Sequence, residues 1–205
     1  MGREGTQAQS GKQAGDLLIA VAGVGPLLER DYWAVIRDCR VSPTELMAEV
    51  SRTFEAYAPK SVAVFSRESG VGVPLREDDI LGVHIKGAGH FRVRVIHVSP
   101  QSLTLGTVKG HPEAGRITFG AYRNARRDVI FHIRSRARSG SRWRYFGFVG
   151  AGEALQTRCW TDFVNRVAVA FGDGVVGWVN AETRVRRDEP DERATCTPTY
   201  YAEGD

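Results

Sequence analysis

Three features are missing or scarce in this 205-residue chain, and each excludes a class of protein. Its three cysteines, Cys39, Cys159 and Cys196, are far apart and odd in number, which argues against a disulfide framework and against a CxxC-type zinc site. No run of 18 or more apolar residues occurs, so the sequence predicts no transmembrane helix. The apolar stretch 17–28 is short, and no A-x-A cleavage site follows it before Asp31, so a signal peptide is not expected.

What the sequence does contain is typical of a globular protein. Hydrophobic residues make up 42% of the chain and charged residues 25%, and the length suffices for one domain with a sizeable core or for two very small ones. The formal net charge of +4 is mild, so it permits an acidic partner without requiring one. A low number of cysteines fits a reducing cytoplasm, which is the predicted location.

Composition divides the chain into three parts. Residues 1–15 are polar, small and rich in Gly and Gln, and they are predicted to form a disordered leader. Residues 188–205 are charged and interrupted by Pro190 and Pro198, which predicts a flexible tail. Between them, residues 16–187 are predicted to form a single folded domain.

The folded part opens with a strand pattern followed by a helix pattern. In "ERDYWAVIRDCR", one set of positions (Tyr32, Ala34, Ile36 and Asp38) alternates with a second (Trp33, Val35 and Arg37), which suits a strand with one face partly buried. Ser42 is a good N-cap, Pro43 fits the first helical position, and Glu45 completes a capping box. Apolar residues then recur at helical spacing as far as Tyr57, and Pro59 ends the predicted helix.

From residue 61 to residue 139 the hydrophobic period changes to two, which predicts six strands joined by short turns. Their sequences are "SVAVFS", "ILGVHIK", "HFRVRVIHV", "SLTLGTV", "GRITFGAYR" and "DVIFHIRSRAR". A long helix is predicted over roughly 152–171, because apolar residues recur at every fourth position from Leu155 to Phe171, and Gly172 suits its C-terminal cap. The following "GVVGWVNAETRV" fits either a last short strand or a docked segment.

This order of elements predicts an α+β protein with a helix-grip fold. A curved antiparallel sheet of about six to seven strands would wrap around the long C-terminal helix, with a shorter helix after the first strand. A sheet that grips a helix leaves a cavity wherever side chains do not fill the gap.

Four segments carry a resemblance to a known family. They are "GVGPLLERDYWAVIRDCRVSPTELMAEV", "SLTLGTVKGHPEAGRITFGAYRN", "DVIFHIRSRARS" and "ALQTRCWTDFVNRVA". Together they resemble an uncharacterised domain family, numbered nineteen-ninety, of the START-like, polyketide-cyclase-like SRPBCC superfamily. The resemblance covers about Gly23–Arg184, and the "GHPE.G...F" turn and the "Q.R" start of the last helix are its most specific parts. It implies the helix-grip fold and a hydrophobic or amphipathic ligand, and it implies no settled activity.

His111 and Glu113 in the "GHPE" turn are weak catalytic candidates. A histidine tuned by a carboxylate can act as a general base near neutral pH. The same residues can serve only the turn, with Glu113 accepting backbone hydrogen bonds or pairing with Lys109 or Arg116. A ligand contact is the third interpretation, and the structural one is favoured.

Several polar and aromatic residues are predicted to contact a ligand in the cavity. Arg158, one residue off the apolar stripe of the last helix, is expected to reach the cavity edge and pair with Glu113 or with a ligand anion. Trp143, followed by Tyr145, Phe146 and Phe148, is predicted to form the mouth of the cavity. The full predicted ligand-binding set is His111, Glu113, Arg134, Trp143, Gln156, Arg158 and Trp160.

An arginine-rich stretch offers a second kind of surface. Eight arginines and one acid, Asp128, lie between residues 123 and 144, for a local charge of +7. This patch could hold a phosphate or an anionic surface, through Arg123, Arg126, Arg127, Arg134 and Arg136. It could equally be a solvated outer strand face whose balancing acids are brought in by the fold. Nucleic acid is not expected, because the interleaved apolar residues are predicted to be buried.

Binding of a small hydrophobic or amphipathic ligand is the function that these observations favour. No cofactor or metal is predicted, since the five histidines lie on different elements and no GxSxG elbow or strand–GxGxxG–helix occurs. Two alternatives stay open. One is an enzyme of the cyclase, dehydratase or hydrolase kind that uses the same cavity, and the other is a cavity-free module that binds an anionic partner through its arginine-rich face.

Overall fold

The computed structural model describes residues 16–67, 70, 72–139 and 149–186. The predicted leader and tail lie outside these residues, so the predicted domain limits stay a prediction. The described chain contains eight strands and three α-helices, preceded by a 3-10 turn at Ala20–Ala22. In chain order the elements are β1 Val24–Val35, α1 Pro43–Arg52, α2 Phe54–Tyr57, β2 Ala63–Arg67, β3 Ile80–Ile85, β4 Gly89–Ser99, β5 Ser102–Thr107, β6 Glu113–Arg123, β7 Val129–Ser139, α3 Val149–Phe171 and β8 Asn180–Arg186.

The eight strands form one antiparallel sheet in the order β2-β3-β4-β5-β6-β7-β1-β8. The α+β class and the curved sheet around a long C-terminal helix are therefore confirmed. The predicted count of six to seven strands was too low, because the stretch after α3 forms β8 and pairs with β1 along Leu27–Trp33. We call the face of the sheet that contacts α3 concave and the opposite face convex.

Helix α1 begins as predicted and ends earlier than predicted. The Ser42 side chain accepts a hydrogen bond from the Glu45 amide, and the Glu45 carboxylate accepts one from the Ser42 amide, which completes the capping box. The helix ends at Arg52, because Thr53 leaves the helical region at φ −122° and ψ 31° and its hydroxyl donates to the Glu49 carbonyl. The chain resumes as the short α2, so the predicted single helix is two.

Helix α3 begins at Val149, three residues before its predicted start, and covers the concave face. Its predicted apolar stripe is confirmed: Phe163 and Val167 are fully buried, and Cys159 is nearly so. Gly172 does not end the helix by adopting a left-handed conformation, as a C-cap glycine would. A glycine is required because the end of α3 lies close to the backbone after β1, where a Cβ on residue 172 would lie 2.3 Å from the Arg37 carbonyl oxygen.

Strand β1 is buried on both faces over Glu29–Tyr32, whereas the sequence predicted one partly buried face. The reason is its position between β7 and β8, with α3 on the concave side. Arg30 and Tyr32 point to the concave face, and Glu29 and Asp31 point to the convex face. Two acids and an arginine are thus removed from water within one strand.

No helix of the described residues is long and apolar enough to cross a membrane.

Candidate functional site

A partly open cavity of about 120 Å³ lies between the concave face and the N-terminal half of α3. Its walls are mostly apolar, and side chains of the edge strand β2 and of its neighbour β3 close one side of it. Polar groups gather toward the turn between β5 and β6. The apolar lining residues are Val62, Ala63, Phe65, Val83, Ile85, Val93, Leu105, Pro112, Ile117, Ala137, Leu155, Cys159 and Trp160, and the polar ones are Thr107, His111, Glu113, Arg116, Ser135 and Gln156.

The "GHPE.G...F" motif shapes one end of this cavity. Its first half forms the turn between β5 and β6, where the His111 amide donates to the Val108 carbonyl at 3.0 Å. Gly115 allows β6 to lie close against β7, because a Cβ there would come within 2.2 Å of the Arg136 carbonyl oxygen. Phe119 is fully buried in the core beneath α3. The motif therefore combines a turn, a close approach of two strands and a core anchor.

Glu113 is the centre of the polar end. Gln156 of α3 donates from Nε2 to Oε2 of Glu113 at 2.7 Å, and Nη1 of Arg30 lies 3.8 Å from Oε1. Burial raises the pKa of the Glu113 carboxyl, and the Arg30 charge and the Gln156 hydrogen bond oppose this effect. The glutamate thus ties α3, β6 and β1 together at the cavity.

His111 contacts the backbone of Glu113. Its Nδ1 lies 3.0 Å from the Glu113 carbonyl oxygen and 3.1 Å from the Glu113 amide nitrogen, while the ring packs edge-on against Phe91. Burial lowers the pKa of His111 to about 4, and the backbone contact opposes this only in part. His111 is therefore neutral at physiological pH and a weak base there.

The lowered pKa makes the folding stability depend on pH. Because the unfolded chain takes up a proton near pH 6.5 and the folded chain only near pH 4, the unfolded state binds more protons between these values. We expect His111 to contribute stability that is fully present above pH 6.5 and is lost as the pH falls toward 4, on the order of 3 kcal/mol. Urea denaturation at several pH values checks this.

His111→Asn is the matched variant for that measurement, because an amide side chain can donate to or accept from the same backbone groups. The stability difference between the natural protein and this variant should change with pH across the window. A difference that stays constant across it contradicts the assignment. Glu113, whose pKa is raised, acts in the opposite direction, and comparing the two proteins cancels its contribution.

The structure brings four of the predicted ligand-binding residues together. His111, Glu113, Gln156 and Trp160 all line the cavity, and Trp160 also packs edge-on against Phe119 at 5.6 Å. Trp143, with the rest of the predicted mouth, lies outside the described residues.

Two other predicted positions need correction. Arg158 is exposed on the outer side of α3, so the predicted partner of Glu113 is replaced by Gln156 and Arg30. Arg134 lies on the convex face, since its neighbour Ser135 lines the cavity and side chains alternate along a strand. Arg158 directly precedes Cys159 of the buried stripe, and this offset about the helix axis is enough to turn its side chain away from the cavity.

Arg30 lies beside Glu113 at the polar end of the cavity, and the sequence analysis did not predict it as a site residue. It shares the concave side of β1 with Tyr32 and Ala34, which belong to the core. Alternation along the strand could have shown this, because every second residue from Arg30 to Ile36 points to the same face. The sequence analysis did not single out Arg30, because a charged residue in a strand is usually exposed.

The arginine-rich patch is partly neutralised by acids of β1. Asp31 accepts hydrogen bonds from His132 at 2.7 Å and from Arg134 at 2.5 Å. Burial by itself would raise the pKa of the Asp31 carboxyl, but these two partners outweigh burial and lower it. Glu29 likewise lies 3.0 Å from Arg136. The fold thus supplies balancing acids to two of the five arginines predicted to hold an anion.

The remaining candidates are placed as follows. Among the residues the structure describes, no three His, Cys, Asp or Glu side chains are grouped to hold a metal ion. His84 stacks on His90 at 4.2 Å between ring centres. Burial raises the pKa of the Cys159 thiol to about 12, as expected of a buried cysteine that packs as a small hydrophobe.

The architecture is the helix-grip arrangement that the resemblance implied, and it recurs in a solved structure. A hypothetical protein of Helicobacter pylori has a TM-score of 0.51 at 7% identity, over 69% of this chain and 86% of that one. At this identity the likeness shows the fold alone. No family model and no curated protein matches the chain.

Two further solved structures are similar at lower scores. The di-domain ARO/CYC StfQ from the steffimycin biosynthetic pathway has a TM-score of 0.49 at 13% identity, over 72% of this chain and 52% of that one. The chain therefore spans about half of StfQ. The major latex-like protein 151 of Panax ginseng has a TM-score of 0.47 at 8% identity, over 72% of this chain and 99% of that one.

Proposed function

We propose that this protein binds a small apolar or amphipathic molecule in the cavity between the sheet and α3. The carrying observation is the cavity itself, with mostly apolar walls and one polar end formed by His111, Glu113 and Gln156. Small-molecule sites have this composition, in which apolar surface supplies affinity and a few polar groups fix orientation.

The packing along α3 supports this proposal. Cys159 and Trp160 line the cavity, whereas Phe163, Val164 and Val167 are fully buried one turn further on. One half of the helix is therefore packed against the sheet, and the other half leaves space above it. An apolar space that the chain does not fill is one that an apolar ligand can fill at little cost.

A cavity-filling substitution tests the proposal. We expect Ala63→Phe to place a ring inside the cavity and to weaken binding of α-methylstyrene, a single-ring apolar probe, by tenfold or more. Val64→Phe is the matched control, because Val64 is the next residue of β2, is 38% exposed and points to the other face. Ligand-observed NMR titrations measure both, and native mass spectrometry of gently purified protein shows whether a natural ligand is retained.

Two outcomes would contradict ligand binding in the cavity. If the probe does not bind the natural protein, or binds Ala63→Phe and Val64→Phe equally well, the cavity is not a binding site. Thermal denaturation of both variants separates loss of binding from loss of folding.

An enzymatic use of the cavity is the second candidate, and the raised pKa of Glu113 is the observation that favours it. A carboxyl whose pKa is raised by burial can serve as a general acid when it holds its proton in the substrate complex. Glu113→Gln would then abolish turnover, whereas His111→Asn would not, since His111 is a weak base in this range. If the protein binds cyclic ketones or esters but converts none of those tested, ligand binding remains the supported function and the enzymatic one is rejected.

Three finer statements belong to this proposal. They are membership in the domain family numbered nineteen-ninety, a lipid-like or polyketide-like ligand, and a cytoplasmic location. Contacts to a phosphate or an anionic surface through the arginine-rich face have less support, because Arg134 and Arg136 already pair with Asp31 and Glu29.

A further inference from the structure

Arg30 is an unusual arginine for a soluble domain. Its side chain is only 6% exposed, and its Nε is buried without a hydrogen-bond partner in the described part of the chain. Within the described ranges its ion-pair partner is Glu113, whose Oε1 lies 3.8 Å from Nη1, beyond hydrogen-bond distance. A guanidinium has five N–H donors, and leaving them unsatisfied in a buried place is costly.

Arg30 lies directly behind the polar end of the cavity. Its strand neighbour Ser135 lines the cavity, and so does Glu113, toward which the guanidinium extends. Gln156 already donates to the other oxygen of Glu113. Among the described residues, no acceptor satisfies the buried Nε–H of Arg30, which leaves this donor for an acceptor that enters the polar end.

The charges at this end of the cavity already balance. Arg30 and an ionised Glu113 form an ion pair without net charge. Burial lowers the pKa of His111 to about 4 and raises that of the Cys159 thiol to about 12, so neither adds charge near physiological pH. Arg116 borders the cavity, but side chains alternate along β6, so its side chain points to the convex face, away from Glu113. A ligand carboxylate would add a third, uncompensated charge to a buried site, which is expensive. A neutral group with an acceptor oxygen adds hydrogen bonds without adding charge.

We propose that Arg30 recognises a neutral acceptor oxygen, a carbonyl above all, on a ligand whose buried part is about the size of one ring. This inference rests on the proposed function and names the ligand class for the same cavity. The size limit comes from the cavity volume of about 120 Å³. An engineered apolar cavity of about 150 Å³ in another protein binds benzene, so one substituted ring is the matching scale.

Two probes of almost equal shape test the role of the oxygen. Acetophenone and α-methylstyrene differ only in a carbonyl oxygen against a methylene group, and benzoate replaces the methyl ketone by a carboxylate. We expect the natural protein to bind acetophenone roughly tenfold more tightly than α-methylstyrene, the usual gain from a hydrogen bond to a charged group. Benzoate should bind more weakly than acetophenone. Ligand-observed NMR titrations give the three dissociation constants.

Variants assign the preference to Arg30. In Arg30→Met the preference for acetophenone should disappear, while α-methylstyrene should bind as before. Arg166→Met is the control, because Arg166 is exposed on α3 and should leave the preference intact. If Arg30→Met does not fold because Glu113 loses its partner, the double variant Arg30→Met, Glu113→Gln removes both charges together.

The outcomes separate this inference from the proposed function. If neither ring binds the natural protein, the cavity is not a ligand site and both proposals fail. If α-methylstyrene binds as tightly as acetophenone, or the preference survives in Arg30→Met, the cavity binds ligands but Arg30 does not recognise them. If benzoate binds more tightly than acetophenone, the inference that the ligand's acceptor group is neutral is wrong.

Discussion

Replacing Phe163 with alanine is expected to lower the free energy of unfolding by about 4 kcal/mol. Phe163 is fully buried on α3, and its ring centre lies 5.2 Å from those of Phe54 and Phe119 and 5.8 Å from that of Tyr57. Removing the ring leaves a cavity that the surrounding helices and strands cannot collapse to fill. Urea denaturation monitored by tryptophan fluorescence measures the change.

The effect should be confined to the packed half of α3. Val169→Ala is the control, because Val169 lies on the same helix and is 61% exposed, and it should change the free energy of unfolding by no more than about 0.5 kcal/mol. If Phe163→Ala costs no more than this control, α3 does not hold the sheet in the way that the contacts indicate. The aromatic cluster would then be incidental to stability.

Replacing Asp31 with asparagine is expected to cost about 3 kcal/mol at neutral pH. The carboxylate is almost completely buried on the convex side of β1 and accepts hydrogen bonds from His132 and Arg134. Asparagine keeps the size but loses the charge, so His132 and the partly buried Arg134 guanidinium lose the charged acceptor that Asp31 provides. Thermal and urea denaturation give the loss.

An exposed acid beside Asp31 provides the control. Glu182 on β8 lies opposite Asp31 on β1, but its side chain is 44% exposed and pairs with Arg184. Glu182→Gln should cost less than about 1 kcal/mol, as exposed ion pairs usually do. Equal losses in the two variants would show that burial of Asp31 adds nothing to its pairing.

The contribution of Asp31 has a defined pH dependence. Because the pKa of Asp31 is lower in the folded chain than its ordinary 3.8, the unfolded state takes up a proton first as the pH falls. The stabilisation is therefore fully present well above pH 3.8 and is lost as the pH falls below this value through the folded pKa. The difference between the natural protein and Asp31→Asn should shrink in the same range.

Local signals predicted most of the elements. The capping box at Ser42 fixed the start of α1, because both of its hydrogen bonds lie within four residues. The period-two pattern located the strands from β2 to β7, and the four-residue spacing located α3. Such patterns are sufficient where an element is buried on one side only.

The sequence prediction failed where burial came from a distant part of the chain. Strand β1 is covered by β7, β8 and α3, so its charged residues are inside although they read as exposed. Arg30 was missed for this reason. Arg134 was placed in the cavity although the apolar residues that alternate with it, such as Phe131 and Ile133, already predict that it lies on the opposite face of β7. Its ion-pair partner Asp31 is 103 residues away, which no local pattern indicates.

Spacing and local hydrogen bonding were sufficient to predict the helix-grip class, the turn at "GHPE" and the apolar stripe of α3. Which polar groups meet at the cavity became known only from the folded arrangement of strands and helices. Gln156 on α3 lies 43 residues after Glu113 in the chain and donates a hydrogen bond to it. Arg30 approaches Glu113 from β1, the first strand of the chain. Contacts of this kind depend on strand order and on the rotation of a helix about its axis, which no local pattern specifies.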